Sequence, residues 1–177
     1  AAFWRALQRY ADDERIPEFE VSLEVTHHGP WQHGPAAFLE VGSTAATWAH
    51  AGAAEVWADV LLDVLRLELE GGQAPNEPSH VPVLVTLGGG HYAPRGNAMA
   101  GQDGALLGHM LANHSLPFSR MDDGKVQGRW SHAVDTAIEA TRAAHPDRTM
   151  VISFDRKSFR GWERRALFEH LADIGVD

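Results

Sequence analysis

The sequence contains no cysteine. Disulfide bonds and thiolate metal sites are thereby excluded, and any bound metal must be held by imidazole, carboxylate or carbonyl oxygen. Lysine is almost absent too: Lys125 and Lys157 are the two lysines among 15 basic residues, set against 24 acidic ones, and the formal net charge is −9. An acidic chain argues against a nucleic-acid partner in dilute salt. At about 1 M salt the Debye length shrinks to about 3 Å and the objection weakens. The lysine-poor, alanine- and arginine-rich composition is what a GC-rich halophilic genome tends to yield, and a mesophilic actinobacterium could give the same. No apolar run is long enough to cross a bilayer, and the N-terminus lacks the basic, apolar and small-residue series of a secretory signal. A soluble, cytoplasmic protein with no membrane partner is therefore expected. Repeats and low-complexity tracts are missing, as are the Walker loop, the dinucleotide fingerprint, the HExxH zinc motif and the GxSxG elbow.

What is present has a globular composition. Of 177 residues, 44% are hydrophobic and 22% charged, so disorder is excluded and a single α/β domain over residues 1–177 is expected. The chain opens AAFWRALQRY, without Met and already helical in pattern, which suggests a piece of a longer polypeptide. The spacing of Phe3, Trp4, Leu7 and Tyr10 predicts a helix over 2–14, and the alternation in EFEVSLEV a strand over 18–25. AAFLEVG predicts a second short strand, Ser43 a cap, and residues 44–70 the longest helix, with Gly52 marking a break. After a loop at 71–80, VPVLVTL is a continuous β-branched run of the kind buried on both faces of a parallel sheet. ALLGHMLANH fits strand or helix by period, and Gly108 with Leu116-Pro117 inclines it to strand. A turn at MDDGK, a helix over 131–144, the strand TMVISF and a closing helix over 161–174 complete the chain. The alternation predicts a layered α/β fold, a mainly parallel or mixed sheet flanked by helices.

Open α/β sheets bind ligands beyond the carboxyl ends of their strands. Three histidine groups fall there: Thr26-His27-His28 within EVTHHGP, His91 after VPVLVTL-GGG, and His109 with His114; Asp155 is a fourth strand-end polar residue. Neighbouring histidines on an extended backbone face opposite sides, so at most one of His27 and His28 enters a shared site. His28 and His91 each lie in a Gly/Pro-structured loop directly after a strand and are candidate ligands or general bases. His50, His80, His132, His145 and His170 read as surface or satisfied core residues. Gly88-Gly89-Gly90 permits positive φ and close approach of a ligand to backbone N–H groups, a candidate cradle for a phosphate, carboxylate or oxyanion, with His91 and Tyr92 beside it. In KSFRGWERR, Lys157 and Arg160 lie at a strand-to-helix junction where they could meet phosphates. Phe159 and Trp162 fit a buried helix side better than a base-stacking platform.

Taken together, EVTHHGP, FLEVGST with Trp48, LGGGHYAPR, GHML and FDRKSFRGWERRALFEHLADIG, in this order from about residue 17 to the end, resemble the archaeal and plant type of D-aminoacyl-tRNA deacylase. The resemblance implies hydrolysis of the ester joining a D-amino acid to the terminal adenosine of tRNA, zinc as cofactor, and a phosphorylase/hydrolase-like α/β fold. Carried onto this chain, the family's blocks fall on Thr26 to Gly29, Gly88 to Pro94, and Gly108-His109. Thr26, His28 and His91 are then the catalytic candidates. His27, His28, His91 and His109 are the metal candidates, and Gly29, Pro30, Gly88, Gly89, Gly90, Tyr92, Lys157 and Arg160 the substrate contacts. Zinc with an open position lowers the pKa of its water to about 7; the metal-free alternative uses a histidine as general base, assisted by the ribose 2′-hydroxyl. Rigid backbone at Gly29-Pro30 or Ala93-Pro94 suits rejection of the wrong hand at Cα. Two other readings compete: a zinc hydrolase of a small ester or amide that does not use tRNA, and a non-catalytic metal- or nucleotide-binding module. The oligomeric state stays open.

Overall fold

The computed structural model describes residues 2–25, 37–42, 44–69, 80–100 and 105–176, with backbone alone at 67–69. The chain divides into two compact units, Ala1–Ser22 with Gly29–Glu77, and Leu23–His28 with Pro78–Asp177.

In the first unit, α1 (Ala2–Asp12) packs on α2 (Ala51–Leu69). Val56, Val60 and Val64 recur every fourth residue, so they share one face of α2, and they bury against Ala6 and Ile16. Polar links close the seam: Tyr10 Oη donates to Asp63 Oδ2 at 2.8 Å, and Arg15, its guanidinium 4.9 Å from the Tyr10 ring, pairs with Asp59 at 2.7 Å. The expected helix from residue 44 begins only at Ala51, because Thr44 to Thr47 close a turn on themselves through Thr47 Oγ1. Gly52 therefore lies in the first turn, not at a break. His50 Nδ1 accepts the Ala53 N–H at 3.1 Å and its Nε2 meets Glu18 at 2.7 Å, so it is a satisfied structural residue that also caps α2.

The second unit carries the sheet. Its elements are β1 (Val83–Leu87), α3 (Pro94–Ala100), β2 (Leu106–Leu111), β3 (Ser119–Arg120), β4 (Val126–Gln127), α4 (Trp130–Ala144), β5 (Met150–Phe154) and α5 (Gly161–Asp173). The strand order is β2-β1-β5, with both pairings parallel. β1 is central and buried throughout, as its unbroken apolar run requires. Val85 and Leu87 turn toward α4 and α5, joining Val134, Ile138, Leu167 and Leu171 in the main core. Thr86 stands in register with Met110 and Ser153 on the opposite face. There α3 closes over the sheet: Arg95 Nε donates to Ser153 Oγ at 3.0 Å, and a Cβ on Gly96 would lie 2.6 Å from Met110 Sδ. β3 and β4 form a hairpin around MDDGK, with Gly124 at φ +84°.

β2 is a strand, but an irregular one. Leu84 pairs with Leu107 and Thr86 with Met110, so Gly108 and His109 together face Val85, a β-bulge. Both bulge positions look toward α4: His109 Nδ1 is 3.1 Å from Thr141 Oγ1, and a Cβ on Gly108 would sit 2.7 Å from Thr141 Cγ2.

Two expected strands are corrected. Residues 19–25 and 37–42 pair with no strand among the described residues. In the first case the reason is local: Asn97 holds both the N–H and the C=O of Leu23 with its side chain, and Val25 N–H donates to the His91 carbonyl at 3.0 Å. The segment is extended, yet bonded to a side chain and a loop instead of a neighbouring strand. In the second, Phe38 and Leu39 are exposed, so the apolar side of AAFLEVG covers no sheet.

Candidate active site at the strand ends

The chain leaves β1 toward α3 on one face and leaves β5 toward α5 on the other. Adjacent strands whose continuations diverge leave the space beyond their carboxyl ends uncovered, which is where open α/β sheets place ligands. Here that edge lies between Gly88 to His91 after β1 and Asp155 to Ser158 after β5.

Three hydrogen bonds tie its floor together. Gly89 N–H donates to Ser158 Oγ at 2.7 Å, Ser158 Oγ donates to Asp155 Oδ2 at 2.8 Å, and Lys157 N–H donates to Asp155 Oδ1 at 3.2 Å. Gly88 N–H donates to the Leu111 carbonyl at 2.8 Å. The amides of Gly88 and Gly89, expected to cradle an anion, are thus committed inside the protein. The glycines are required for another reason. Gly88 and Gly89 sit at φ +95° and +87°, and a Cβ on Gly88 would lie 2.7 Å from the Phe159 ring.

Beyond this turn, His91 Nε2 meets Glu24 Oε2 at 3.0 Å, with both side chains partly exposed, and the Tyr92 ring stands edge-on to the imidazole at 5.1 Å. The pair depends on Asn97, one turn into α3. Its Oδ1 accepts the Leu23 N–H at 2.6 Å, while Nδ2 donates to the carbonyls of Leu23 at 2.9 Å and Tyr92 at 2.6 Å. One amide therefore clamps the residue before Glu24 to the residue after His91. Ala93, buried and at φ +36°, completes the turn through its N–H to Gly90 O at 3.1 Å. Neither Glu24 nor Asn97 was singled out in the sequence. Pro94 at the first position of α3 was the available signal that a short helix follows the glycines.

The remaining candidates separate. His109 lies mid-strand against α4, and burial lowers its pKa from the ordinary histidine value, so it is held neutral. His114 is exposed in a short 3-10 turn. Lys157 and Arg160 are exposed beside the floor, while Phe159 is buried in the core and Trp162 packs edge-on against Phe118. Thr26, His27, His28, Gly29 and Pro30 lie outside the described residues.

A catalytic zinc takes three protein ligands and keeps one position open. Among the described residues no three His, Asp or Glu side chains converge, and His91 with Glu24 supplies two. The described residues do not by themselves fit the metal.

Residues 1–177 match the family described as D-aminoacyl-tRNA deacylase. A D-aminoacyl-tRNA deacylase of Arabidopsis thaliana is 37% identical over 185 residues, covering 99% of this chain and 58% of the relative. One from Methanosarcina barkeri is 31% identical, covering 96% of this chain and 46% of the relative. One from Haloarcula marismortui is 42% identical, covering 63% and 23% respectively. The fold is similar to the crystal structure of a conserved protein of unknown function, with a TM-score of 0.71 and 30% identity over 99% of this chain and 53% of that one. The chain spans 58% or less of the length of each of these curated relatives.

Proposed function

The chain belongs to the D-aminoacyl-tRNA deacylase family, and on that premise we propose that it supplies the hydrolytic centre of an enzyme that cleaves the ester between a D-amino acid and the 3′-terminal adenosine of tRNA. The observation that carries the reading is the His91–Glu24 pair at the carboxyl end of β1. With Glu24 accepting the Nε2 proton, the neutral ring has Nδ1 as its basic nitrogen. His91 takes a proton from water as the water oxygen attacks the ester carbonyl, and the Glu24 carboxylate stabilises the imidazolium so formed. The proton then passes to the departing 3′-oxygen of the adenosine. The products are free D-amino acid and tRNA. A positioned general base of this kind contributes about 10²- to 10⁴-fold.

Thr26, His27 and His28 follow Val25 by one, two and three peptide links, and Val25 N–H is bonded to the His91 carbonyl. They are the further candidate ligands or bases of this reading. Rejection of the L-ester falls to backbone that does not give way. Ala93, buried at φ +36° and followed by Pro94, is such a segment, and Gly29-Pro30 is the second candidate. The acidic, lysine-poor composition supports work in the concentrated salt of a halophile's cytoplasm, and no described helix is long and apolar enough to cross a membrane.

The test is release of D-tyrosine from D-tyrosyl-tRNA, with L-tyrosyl-tRNA as control, in molar potassium chloride, by the full-length polypeptide and by these 177 residues. Hydrolysis of the D-ester alone supports the reading. Equal hydrolysis of both esters, or of neither by the full-length protein, overturns it. Repeating the assay after chelation and after restoring zinc asks separately whether a metal joins the scheme.

A further inference from the structure

We propose that Arg156, Lys157 and Arg160, at the β5–α5 junction, form a cationic ledge that grips the backbone phosphates of the single-stranded 3′ end of the tRNA and reads none of its bases. The inference rests on the deacylase reading and extends it to how the substrate is held.

An acidic chain of net charge −9 places Arg156, Lys157, Arg160, Arg164 and Arg165 within one short stretch. The first three are exposed, and among the described residues no carboxylate pairs with their side chains. The acid inside the stretch and the one just before it are turned to other work. Asp155 accepts from the Lys157 N–H and the Ser158 hydroxyl, and Glu163 Oε2 accepts the Arg160 backbone N–H at 2.7 Å. Their charges organise the turn and leave the three cationic heads to solvent.

The stretch is also stiff. Arg164 donates to the carbonyls of Arg156 at 2.9 Å and Phe159 at 2.6 Å, bracing the backbone that carries the ledge. Rigid placement lowers the ordering cost of gripping a flexible strand. Position follows from the floor of the site: Ser158, between Lys157 and Arg160, accepts the Gly89 N–H, so a strand laid along the ledge ends at the crevice beside β1.

The same stretch shows what the ledge does not do. Proteins that hold single strands through their bases expose aromatic rings for stacking. Here Phe159 is 4% exposed and Trp162 is packed on Phe118. In this stretch charge is offered without a stacking surface, so recognition there goes to phosphates and not to bases.

The experiment measures binding, which keeps it independent of turnover. Fluorescently labelled deacylated tRNA is titrated with the full-length protein and with its R156Q/K157Q/R160Q variant at several potassium chloride concentrations. Each phosphate contact on a single strand contributes a slope of about −0.7 in log K against log salt, so three lost contacts should flatten the slope by about 2. The variant's affinity deficit should then shrink more than tenfold over a fourfold rise in salt, taken within the range where the protein stays folded. The charge-retaining variant R156K/K157R/R160K, folded by the same criteria, should keep the wild-type slope. A tRNA whose CCA end is replaced by uridines should bind wild type equally. An unchanged slope in the glutamine variant, or a loss of affinity with the uridine end, overturns the ledge. Failure of D-ester turnover with the slope change intact would overturn the deacylase reading and leave a tRNA-binding ledge standing.

Discussion

Replacing Asn97 by Asp changes one atom and should break the clamp behind the His91–Glu24 pair. In the native protein the side-chain oxygen accepts the Leu23 N–H, while the nitrogen donates to the carbonyls of Leu23 and Tyr92, with a longer contact to Ala93 O at 3.3 Å. A carboxylate retains the first bond and turns the other two into oxygen facing oxygen. A hydrogen bond contributes about 1 kcal/mol net, and an unmatched partly buried acceptor costs a similar amount. With the Tyr92 contact exposed and the Leu23 contacts partly buried, the loss comes to about 2–3 kcal/mol, and Asn97→Ala should cost no more than Asn97→Asp. At a urea m-value of about 2 kcal/mol/M the unfolding midpoint should fall by about 1 M or slightly more. Activity reports the other half. Glu24 is then no longer anchored by its neighbour, so kcat should fall more than KM rises. An Asn97→Asp protein with the wild-type midpoint refutes the clamp. A lowered midpoint with an unchanged kcat refutes its link to His91.

Other variants address neighbouring features. Gly108→Ala puts a Cβ 2.7 and 2.8 Å from Thr141 Cγ2 and Oγ1, an overpacking worth about 1–3 kcal/mol; adding Thr141→Ala should recover part of it, and strict additivity in denaturation would refute the bulge contact. His91→Gln should lower kcat/KM on D-tyrosyl-tRNA by about 10²- to 10⁴-fold. Glu24→Gln should lower it less, and full activity in Glu24→Gln would remove the carboxylate from the mechanism. Stability should depend on pH through His109, whose folded pKa is lowered from 6.5 by burial. The unfolded chain then binds the proton more readily, so stability is full above about pH 6.5 and is lost as pH falls toward the lowered folded value. His145, lowered by burial and by Arg148, acts in the same direction. His109→Asn should flatten that part of a pH–stability curve measured by denaturation, and an unchanged curve would show that His109 is not what titrates.

The strand VPVLVTL was legible because a run buried on both faces needs no periodicity to be recognised. TMVISF and the helices α4 and α5 emerged almost at their expected bounds for the complementary reason, clear apolar spacing ended by turn residues. β2 was ambiguous because the Gly108–His109 bulge breaks its alternation. EFEVSLEV alternated as a strand should, and what overrode the pattern was a single side chain 74 residues away in sequence. The site followed the same rule. His91 was visible from its glycines and its place after a strand, whereas Glu24 and Asn97 acquire meaning only when the chain has brought them together. The three glycines pointed to the right place with the wrong chemistry, since sequence shows that backbone amides can be reached and not that Leu111 and Ser158 already hold two of them.

The short stretch Leu23–His28 belongs to the sheet-bearing unit although its neighbours on both sides belong to the other. The sheet-bearing unit is therefore not a contiguous fragment that could be cut out at Pro78 and expressed alone. Such a truncation would delete Leu23 and Val25 from a core shared with Ala93, Met110 and Ala112, and Glu24 from His91. Folding faces the same constraint in time. During synthesis the stretch emerges long before α3, and the Leu23–Asn97 closure can form only after the intervening chain has been made.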